Sequence, residues 1–323
     1  MKKRGIGIAA GMYGTAVMGG GDKSMAVIEL RPDGGADLLL GSVDLGQGST
    51  TVLAQMAAHE LGIPYDCISV HAMDTAVGPF CAGTWGSRLT YVAGNAVVAA
   101  AREARQCLLE AAAPLLKASA VELDISEGKI VSRGNPEASM PVAEAVFKSP
   151  LIAGRGSYAP PMRLPDFTTG KGNCFHALAW GAAIAEVEVD TETGEVDLLR
   201  LACAYDAGRA INPMLVEGQI QGGAVMAQGQ AMLEQLYPCY PTVDSQPQTF
   251  HDYIIPTAMD IPGIECRIHE CPSPEGPYGA KGIGEITAVV PHPAIAEAIC
   301  NAIGVRIDEI PITPEKILRA LQR

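Results

Sequence analysis

The sequence predicts an α+β fold made of two pseudo-repeated α/β subdomains with mixed sheets and helices. The first observation is a pair of β-hairpin patterns, at 26–40 and 182–204, each with a glycine in its turn. The second is that each hairpin precedes an aspartate, a glycine-rich turn and an apolar spacing typical of a helix. We therefore predict an internal duplication, with one α+β subdomain at 1–150 and the other at 151–323.

The first subdomain divides into short elements set by apolar spacing and turn residues. Pro32-Asp33-Gly34-Gly35 is a hairpin turn, and Gly62 ends a helical run because glycine adopts the left-handed conformation of a C-cap. An alanine-rich pattern predicts a long helix that breaks or ends near Pro114. In order, we predict a strand at 5–10, a glycine loop at 11–21, strands at 26–30 and 36–40, a helix at 51–61, a strand at 68–73, a helix at 91–116, and a small helical or mixed appendage at 119–127 and 129–146.

The second subdomain starts with a stretch, 149–176, that is rich in proline and glycine and carries Arg155, Arg163 and Lys171. A connection this long inside a compact domain predicts a lid, an interface arm or a cover over a ligand. After it we predict strands at 182–189 and 195–204, a helix at 214–233, an irregular connection at 237–256, a helix at 293–303 and a closing helix at 314–322 capped by Thr313.

Composition restricts the class of protein. The chain has 323 residues, of which 48% are hydrophobic and 18% charged, which indicates a globular protein rather than a disordered one. Its net charge of −13 argues against a nucleic-acid partner, because such proteins neutralise phosphates with basic side chains. No apolar run reaches the roughly 18 residues of a membrane span, and no signal peptide follows the basic N-terminus. We therefore expect a cytoplasmic protein without a membrane segment.

Cysteine and histidine spacing gives no metal-binding pattern. The nine cysteines are an odd number, scattered without a CxxC, and the six histidines have no ligand spacing. We therefore expect reduced thiols, no side-chain metal site and no Fe–S cluster in this chain.

Three glycine-rich segments, at 46–51, 83–90 and 208–218, each precede a predicted helix. The unpaired N–H groups and the dipole of a helix N-terminus favour an anion there. Plain capping is the alternative, since any tight strand-to-helix turn favours glycine. Together the segments are also consistent with a multi-phosphate or pterin cofactor, although neither a P-loop nor a GxGxxG fingerprint is present. Their polar side chains include Gln47, Ser87, Arg88, Thr90 and, just beyond the third segment, Gln219.

The stretch from Gly279 to Glu285, GAKGIGE, places three glycines in six positions ahead of one carboxylate. Glycines allow a backbone to turn tightly or to approach a ligand closely. Glu285 is therefore either a functional carboxylate or a solvated loop acid. Lys281 could equally contact a substrate or cofactor oxygen or form a structural bond to a carbonyl group. Asp44 and Asp206 occupy matching places after the two hairpins, which predicts turn capping rather than catalysis.

These stretches occur in an order that matches a known family. By these motifs, the chain resembles the second half of the molybdenum-binding portion of the xanthine dehydrogenase / aldehyde oxidase family. The resemblance covers essentially all 323 residues of the chain. Because Met1-Lys2-Lys3-Arg4-Gly5 begins where that half usually begins, a separate subunit is expected, similar to the medium molybdopterin subunit of nicotinate dehydrogenase. The motifs are Gly46-Gln47-Gly48, Gly86-Ser87-Arg88 with Thr90 and Gly94-Asn95-Ala96-Val97, Asn212-Pro213, Glu217-Gly218-Gln219, Asp252-Tyr253 with Pro256-Thr257 and Asp260, and Gly279 to Glu285.

The resemblance implies a fold of the molybdenum-cofactor-binding type and a molybdopterin cofactor, in bacteria usually the cytosine dinucleotide. Glu285 would be the general base on the Mo–OH group in the oxidative hydroxylation of an N-heterocycle (purine or nicotinate-like) or an aldehyde. The terminal molybdenum ligand would be sulfido or selenido. The residues expected to bind the cofactor are Leu45, Gly46, Gln47, Gly86, Ser87, Arg88, Leu89, Gln219 and Gly284.

The resemblance also implies partners, namely a second and larger molybdopterin subunit, a [2Fe–2S] subunit and an FAD subunit. The substrate would be a small molecule. One alternative is a non-catalytic cofactor-binding or assembly subunit of such a complex. Another is an unrelated phosphate-binding α+β protein.

Three parts of the sequence depart from the family pattern. Ile286 and Thr287 follow the glutamate where the family usually has one or two prolines, so the loop is expected to sit differently. The segment 13–17 contains Tyr13 but no second aromatic that could stack on a substrate, which argues against transferring purine specificity. Leu89 replaces a commonly small or polar residue and would shift one phosphate contact.

Overall fold

A computed structural model of the chain describes residues 1–16, 21–135, 137–235, 249–251 and 253–322. Val17, Cys239, Asp252 and much of the predicted connection at 237–256 lie outside the described residues. The strands are β1 (Lys2–Thr15), β2 (Ser24–Leu30), β3 (Ala36–Leu40), β4 (Ile68–His71), β5 (Leu123–Ser126), β6 (Lys129–Ser132), β7 (Ser139–Pro141), β8 (Ala153–Tyr158), β9 (Ala177–Asp190), β10 (Val196–Asp206) and β11 (Gly263–His269). The helices are α1 (Ser49–Leu61), α2 (Gly94–Leu116), α3 (Val142–Phe147), α4 (Pro213–Met232), α5 (Ile286–Val289), α6 (Pro291–Ile303) and α7 (Pro314–Leu321).

The chain forms two compact units, and unlike the predicted subdomains 1–150 and 151–323 they are assembled from segments distant in sequence. β8 belongs to one unit because it pairs with β2, and most of β1 belongs to the other because it lies beside β9. We call them the central unit, which is Gly14–Ala177 with Pro272–Gly282, and the terminal unit, which is Met1–Tyr13 with Leu178–Cys271 and Ile283–Arg323.

The central unit is built on a sheet in the order β4-β3-β2-β8. β2 pairs antiparallel with β3 and with β8, and β3 pairs parallel with β4. Helix α2 lies directly on β8, since a Cβ at Gly154 or Gly156 would be 2.1 or 2.0 Å from a carbonyl oxygen of the helix. The glycines thus bring the strand against one row of the helix, Ala96, Ala100 and Ala104.

The terminal unit repeats this arrangement with different segments. Its sheet has the order β1-β9-β10-β11, in which β9 and β10 are antiparallel and β10 and β11 are parallel. Helix α6 lies on β1, since a Cβ at Gly5 or Gly7 would be 2.1 Å from a carbonyl oxygen of the helix. The helix row that receives these glycines is Ala294, Ala298 and Ala302.

The predicted pseudo-repeat is therefore confirmed. Each unit has a hairpin, a helix and a strand that pairs parallel with the second strand of the hairpin. Each also has an alanine-rich helix packed on an edge strand that carries a Gly-x-Gly pair. The edge strand follows its helix along the chain in the central unit and precedes it in the terminal unit. The equivalent elements are β2 and β9, β3 and β10, α1 and α4, β4 and β11, α2 and α6, and β8 and β1.

Local structure differs from the prediction in three places. The predicted loop at 11–21 is strand as far as Thr15, because glycine also suits a strand that packs closely on a neighbour. The predicted cover at 149–176 contains β8, a full member of the central sheet. The third difference is β11, Gly263–His269, a strand that was not predicted. The appendage at 119–146 is mixed, as predicted, with a small sheet in the order β5-β6-β7 followed by α3.

One stretch of the terminal unit, Ile286–Ile303, is long and apolar enough to cross a membrane by length and composition alone. Its mean hydropathy is 1.3, and 56% of it is buried within the fold. Ile295, Ala298 and Ile299 lie in the core of the terminal unit. A buried core helix passes the same test, so the stretch is weak evidence for a membrane span.

Candidate functional site

Two glycine-rich loops of the central unit meet at Thr84. Its hydroxyl donates to the carbonyl oxygen of Val43 at 2.7 Å and lies 3.2 Å from the nitrogen of the same residue, from which it accepts. These two bonds hold the loop at 44–48, which enters α1, beside the loop at 83–88, which leads to α2. Two of the three segments predicted to contact a cofactor are therefore neighbours.

Asp44 occupies the anion position at the start of α1. Its carboxylate accepts from the N–H groups of Gly46 at 2.8 Å, Gly48 at 3.2 Å and Thr50 at 2.9 Å. Burial alone would raise the pKa of Asp44, but the hydrogen bonds from Thr50, Gly46 and Gly48 outweigh it and lower the pKa below its ordinary value. Asp44 is thus a turn cap, as predicted, and the N–H groups it binds are not free for a cofactor.

The tip of this loop, in contrast, is open. The Gln47 side chain folds back, with Oε1 accepting from Leu45 N–H at 2.6 Å and Nε2 donating to Ser49 Oγ at 3.0 Å. Gly46 has a φ of 105°, and a Cβ there would meet no atom within 4 Å. The Leu45 side chain is 72% exposed. A ligand can therefore approach the backbone of the tip without displacing protein atoms.

The second loop reaches two further stretches at Gly86 and Ser87. Ala16 N–H donates to the Gly86 carbonyl oxygen at 2.9 Å, and a Cβ at Gly282 would lie only 1.6 Å from the Ser87 carbonyl oxygen. Ala16 and Ser87 have φ angles of 70° and 52°, although neither is glycine. Such left-handed residues cost about 1–2 kcal/mol each and are concentrated at functional sites. The start of the GAKGIGE stretch thus packs on the GSR loop.

Arg88 supports the second loop from inside the central unit. Its side chain is fully buried and forms an ion pair with the carboxylate of Asp22, also buried. The other guanidinium nitrogens donate to the carbonyl oxygen of Gly83 at 2.6 Å and to Ser24 Oγ at 2.7 Å. Each guanidinium nitrogen thus has a protein partner, and the Arg88 side chain holds the loop from within the core.

The predicted cover is attached to the loop that leads to GAKGIGE. Arg163 Nη2 donates to Glu275 Oε1 at 2.9 Å, and His176 Nδ1 lies 3.4 Å from Glu275 Oε2. The carbonyl oxygen of Glu275 accepts from the side chain of Asn95, in the first turn of α2, at 2.9 Å. The segments 159–176 and 272–282 are therefore connected to each other and to α2.

In the terminal unit, the turn before α4 repeats the arrangement around Asp44. Asp206 Oδ1 accepts from Gly208 N–H at 2.9 Å and from Cys271 N–H at 3.2 Å. Asn212 then caps α4 by accepting from Leu215 N–H at 3.2 Å. Gln219 lies half-buried in the second turn of this helix.

Glu285 stands at the start of α5, which leads into α6. Its carbonyl oxygen accepts from the N–H groups of Ala288 at 3.1 Å and Val289 at 3.3 Å, while its side chain is half-buried. Burial raises the pKa of Tyr13, and the negative charge of Glu285 raises it further. The Glu285 carboxylate is therefore close enough to act electrostatically on the end of β1.

The predicted cofactor residues divide between the two units. Sequence reasoning missed Asp22, Thr84 and Ala16, which organise the loops, because no local pattern pairs Asp22 with an arginine 66 positions away. Glycine spacing also carries no signal for a non-glycine residue with positive φ. The central unit contains Leu45, Gly46, Gln47, Gly86, Ser87, Arg88 and the buried Leu89, and the terminal unit contains Gln219, Gly284 and Glu285.

Side chains suited to metal binding are scattered in the described parts of the chain. No group of three or more His, Cys, Asp or Glu residues there could hold a metal ion. The described cysteines are free thiols, and burial raises the pKa of Cys203 to about 12.

Comparison with known proteins gives one consistent result. Residues 1–262 match the family model described as "Molybdopterin cofactor-binding domain". The chain is 34% identical over 301 residues to the 6-hydroxypseudooxynicotine dehydrogenase complex subunit gamma of Paenarthrobacter nicotinovorans, covering 91% of this chain and 37% of the relative. It is 30% identical over 321 residues to the xanthine dehydrogenase molybdenum-binding subunit of Escherichia coli O157:H7, covering 98% and 42%.

A solved structure extends the likeness to three dimensions. Quinoline 2-oxidoreductase from Pseudomonas putida 86 superimposes with a TM-score of 0.87 and 30% sequence identity, covering 100% of this chain and 42% of that one. The chain thus spans about two fifths of the length of the relatives it matches.

Proposed function

The chain belongs to the molybdopterin cofactor-binding domain family, among the proteins related to xanthine dehydrogenase, and from this premise we propose that it is part of a molybdenum hydroxylase. It contributes cofactor-binding loops and the catalytic carboxylate. The reaction is the oxidative hydroxylation of an N-heterocycle, purine- or nicotinate-like, or of an aldehyde. The names of two relatives, quinoline 2-oxidoreductase and xanthine dehydrogenase, refer to N-heterocycles and support that class.

The observation that carries the proposal is the meeting of four separate stretches in the central unit. The loop at 44–48, the loop at 83–88, Ala16 and Gly282 are joined by the backbone contacts described above. The arrangement fits a flat, anionic group, because the open glycine at 46 admits a ring or a phosphate to the backbone. Two carboxylates next to these loops are paired within the protein, Asp44 with N–H groups and Asp22 with Arg88.

Within this site the chain binds mainly through its backbone. Gly46, Gln47, Gly86 and Ser87 would contact the cofactor through backbone atoms other than the Gly46 N–H and the Gly86 carbonyl oxygen, which are bonded to Asp44 and Ala16, and through the Ser87 hydroxyl. The buried side chain of Arg88 holds the loop at 83–88 in place through its bonds to Asp22 and Gly83. Leu45 and Leu89 contribute backbone, since one side chain is exposed and the other buried.

Glu285 is assigned the role of general base. When bound, the cofactor supplies the oxygen atom and accepts the electrons of the reaction. A carboxylate oxygen of Glu285 would accept the proton of the hydroxyl group that the cofactor carries. General base catalysis of this kind typically accounts for about 10²–10⁴-fold in rate. Gln219 and Gly284 are proposed to contact the cofactor on the strength of the resemblance.

The cytosine dinucleotide form and the partners are also part of the proposal. The relatives are two to three times longer than this chain, and two of them are named as subunits. We infer a larger molybdopterin-binding polypeptide, a [2Fe–2S] subunit and an FAD subunit as partners in a cytoplasmic complex.

The first test is the composition of the complex purified from its native host. We expect about one molybdenum atom per copy of this chain. Mild acid hydrolysis should release CMP, and iron and FAD should co-purify with separate polypeptides. Selenium analysis distinguishes a selenido from a sulfido ligand. An intact complex without molybdenum would contradict the proposal.

The second test is Glu285→Gln, introduced into the same complex. Hydroxylation should fall by about 10²-fold or more while molybdenum content stays unchanged, because the amide cannot accept the proton. Turnover equal to that of the unmodified complex would instead support a non-catalytic cofactor-binding or assembly subunit.

A further inference from the structure

Residues of helix α5 hold the backbone on both sides of Glu285. Thr287 donates twice to the carbonyl oxygen of Gly284, from its N–H at 3.1 Å and from its hydroxyl at 2.6 Å. This carbonyl belongs to the peptide group whose nitrogen is that of Glu285. Since the Glu285 carbonyl oxygen is also bonded within α5, the peptide groups on both sides of its Cα are held.

Thr287 is itself held by its surroundings. Thr287 is 3% exposed, and its carbonyl oxygen accepts from the Tyr205 hydroxyl at 3.0 Å. Tyr205 is 1% exposed, and its ring lies against Gly181. The backbone of Thr287 is therefore bonded to β10, while its hydroxyl is bonded to the Gly284 carbonyl oxygen.

Helix α4 leaves room for this threonine by having a glycine opposite it. A Cβ at Gly223 would lie 2.0 Å from Thr287 Oγ1 and 2.5 Å from Thr287 Cβ. A larger residue at 223 would push α5 away from its position. The pair Gly223 and Thr287 is therefore a matched contact that connects α4 to the Glu285 loop.

We propose that Thr287 is the positioning residue of Glu285, and that its hydroxyl fixes the Gly284–Glu285 peptide so that the carboxylate keeps one orientation. This inference rests on the proposed role of Glu285.

The test compares Thr287→Val with Thr287→Ser in the complete native complex. Valine keeps the shape and removes the hydroxyl, and we expect kcat to fall by about ten- to a hundredfold with KM changed less than twofold, because small misplacements of a catalytic group are costly. Serine restores the hydroxyl and should restore kcat to within about threefold.

Ser149→Ala is the matched control. Its hydroxyl donates to the Ala145 carbonyl oxygen at 2.6 Å, the same kind of bond in the central unit. It should leave kcat unchanged. If Ser149→Ala and Thr287→Val reduce kcat equally, the effect is general loss of stability and the proposal is wrong.

A structure determination of the Thr287→Val complex supplies a readout that does not depend on activity. We expect the Glu285 carboxylate to be displaced or present in more than one orientation, with molybdenum content unchanged. An unmoved Glu285 together with unchanged kcat overturns the proposal. Glu285→Gln, measured in parallel, distinguishes failure of the proposed function from failure of the role of Thr287. If Glu285→Gln has no effect on kcat, the proposed function is contradicted. If Glu285→Gln lowers kcat and Thr287→Val does not, only the role of Thr287 is contradicted.

Discussion

The central and terminal units present different chemistry from the same place in one scaffold. In each, a loop enters the alanine-rich helix that lies on the Gly-x-Gly strand. Ser87 precedes Ala96, the first alanine of its row, by nine positions, and Glu285 precedes Ala294 by the same distance. The repeat thus offers one loop position twice, once with glycine amides and a hydroxyl and once with a carboxylate.

The two loops differ in how they are anchored. The central loop is held by a buried ion pair between Arg88 and Asp22, and the terminal loop by the neutral bonds of Thr287 with Gly284 and Tyr205. The charges of Arg88 and Asp22 balance each other, so the central anchor is an ion pair without net charge. The hydroxyl bonds around Thr287 hold the backbone of Glu285 without any charged group. The scaffold is therefore repeated within the molecule, whereas the two loops are anchored by different kinds of bond.

The largest expected effect comes from breaking the charged anchor. Arg88→Met would leave the Asp22 carboxylate buried without its cation, which should lower the free energy of unfolding by about 3–5 kcal/mol. Urea unfolding of the full chain measures this loss. Arg102→Met is the control, because Arg102 pairs with Glu60 but is 65% exposed, and a change of at most about 1 kcal/mol is expected.

The neutral anchor should contribute less. Thr287→Val removes one hydrogen bond, which is typically equivalent to about 0.5–1.5 kcal/mol of stability. If Thr287→Val destabilised the chain as strongly as Arg88→Met, the contrast between the two anchors would be lost.

The shared packing of strand on helix should give matched effects in the two units. Gly7→Ala and Gly156→Ala each place a Cβ within about 2 Å of a helix carbonyl oxygen, and each should cost about 1–3 kcal/mol or more. Gly263→Ala is the control, since a Cβ there meets no atom within 4 Å. A neutral result for only one of the two glycines would show that the units do not depend on the same contact.

The duplicated fold was predictable from sequence, whereas the pairing of the edge strands β1 and β8 was not. Hairpins and helices follow local rules, so the strands around Pro32 to Gly35 and the helix ending at Gly62 are found where expected. The assignment of β1 and β8 to opposite units depends on pairing between distant segments. No local pattern in Gly5 or Gly154 indicates which alanine-rich helix each strand will contact.

The loops of the candidate site were predictable where glycine spacing carries the signal, whereas the contacts between distant residues were not. The loops with Gly46, Gly86 and Gly282 were identified from spacing alone, and the structure brings them into the central unit. The burial of the Arg88 side chain was not foreseen, because a GSR motif reads the same whether the arginine faces a ligand or the core. The partner that decides it, Asp22, is remote in sequence.

The cap of the central unit should show a defined dependence on pH. The pKa of Asp44 is lowered in the folded state, so its contribution is present above its unfolded pKa of about 3.9 and is lost as the pH falls through the lower folded value. Asp44→Asn should therefore cost about 1 kcal/mol near pH 7 and progressively less at low pH. Urea unfolding of both proteins from pH 7 to 3 measures the difference, and a constant difference would contradict the role assigned to the carboxylate.

The smallest expected effect reports on Glu285 itself. Burial and the charge of Glu285 both raise the pKa of Tyr13, so Glu285→Gln should lower it while burial still keeps it raised. NMR of ¹³C-labelled tyrosine in the full chain measures the change. An unchanged pKa would show that the carboxylate does not act on β1.

The order of the edge strands has a consequence for synthesis on the ribosome. In the central unit, Gly156 follows the helix row it packs on by about 50–60 residues, so both partners emerge close together. In the terminal unit, Gly7 packs on Ala294, which is synthesised much later. At a translation rate of about 5–20 residues per second, Ala294 emerges some 15–60 s after Gly7. During that interval the glycine-rich strand has no helix to cover it. In a growing chain, β1 therefore stays without its helix, whereas β8 emerges after its helix has been synthesised.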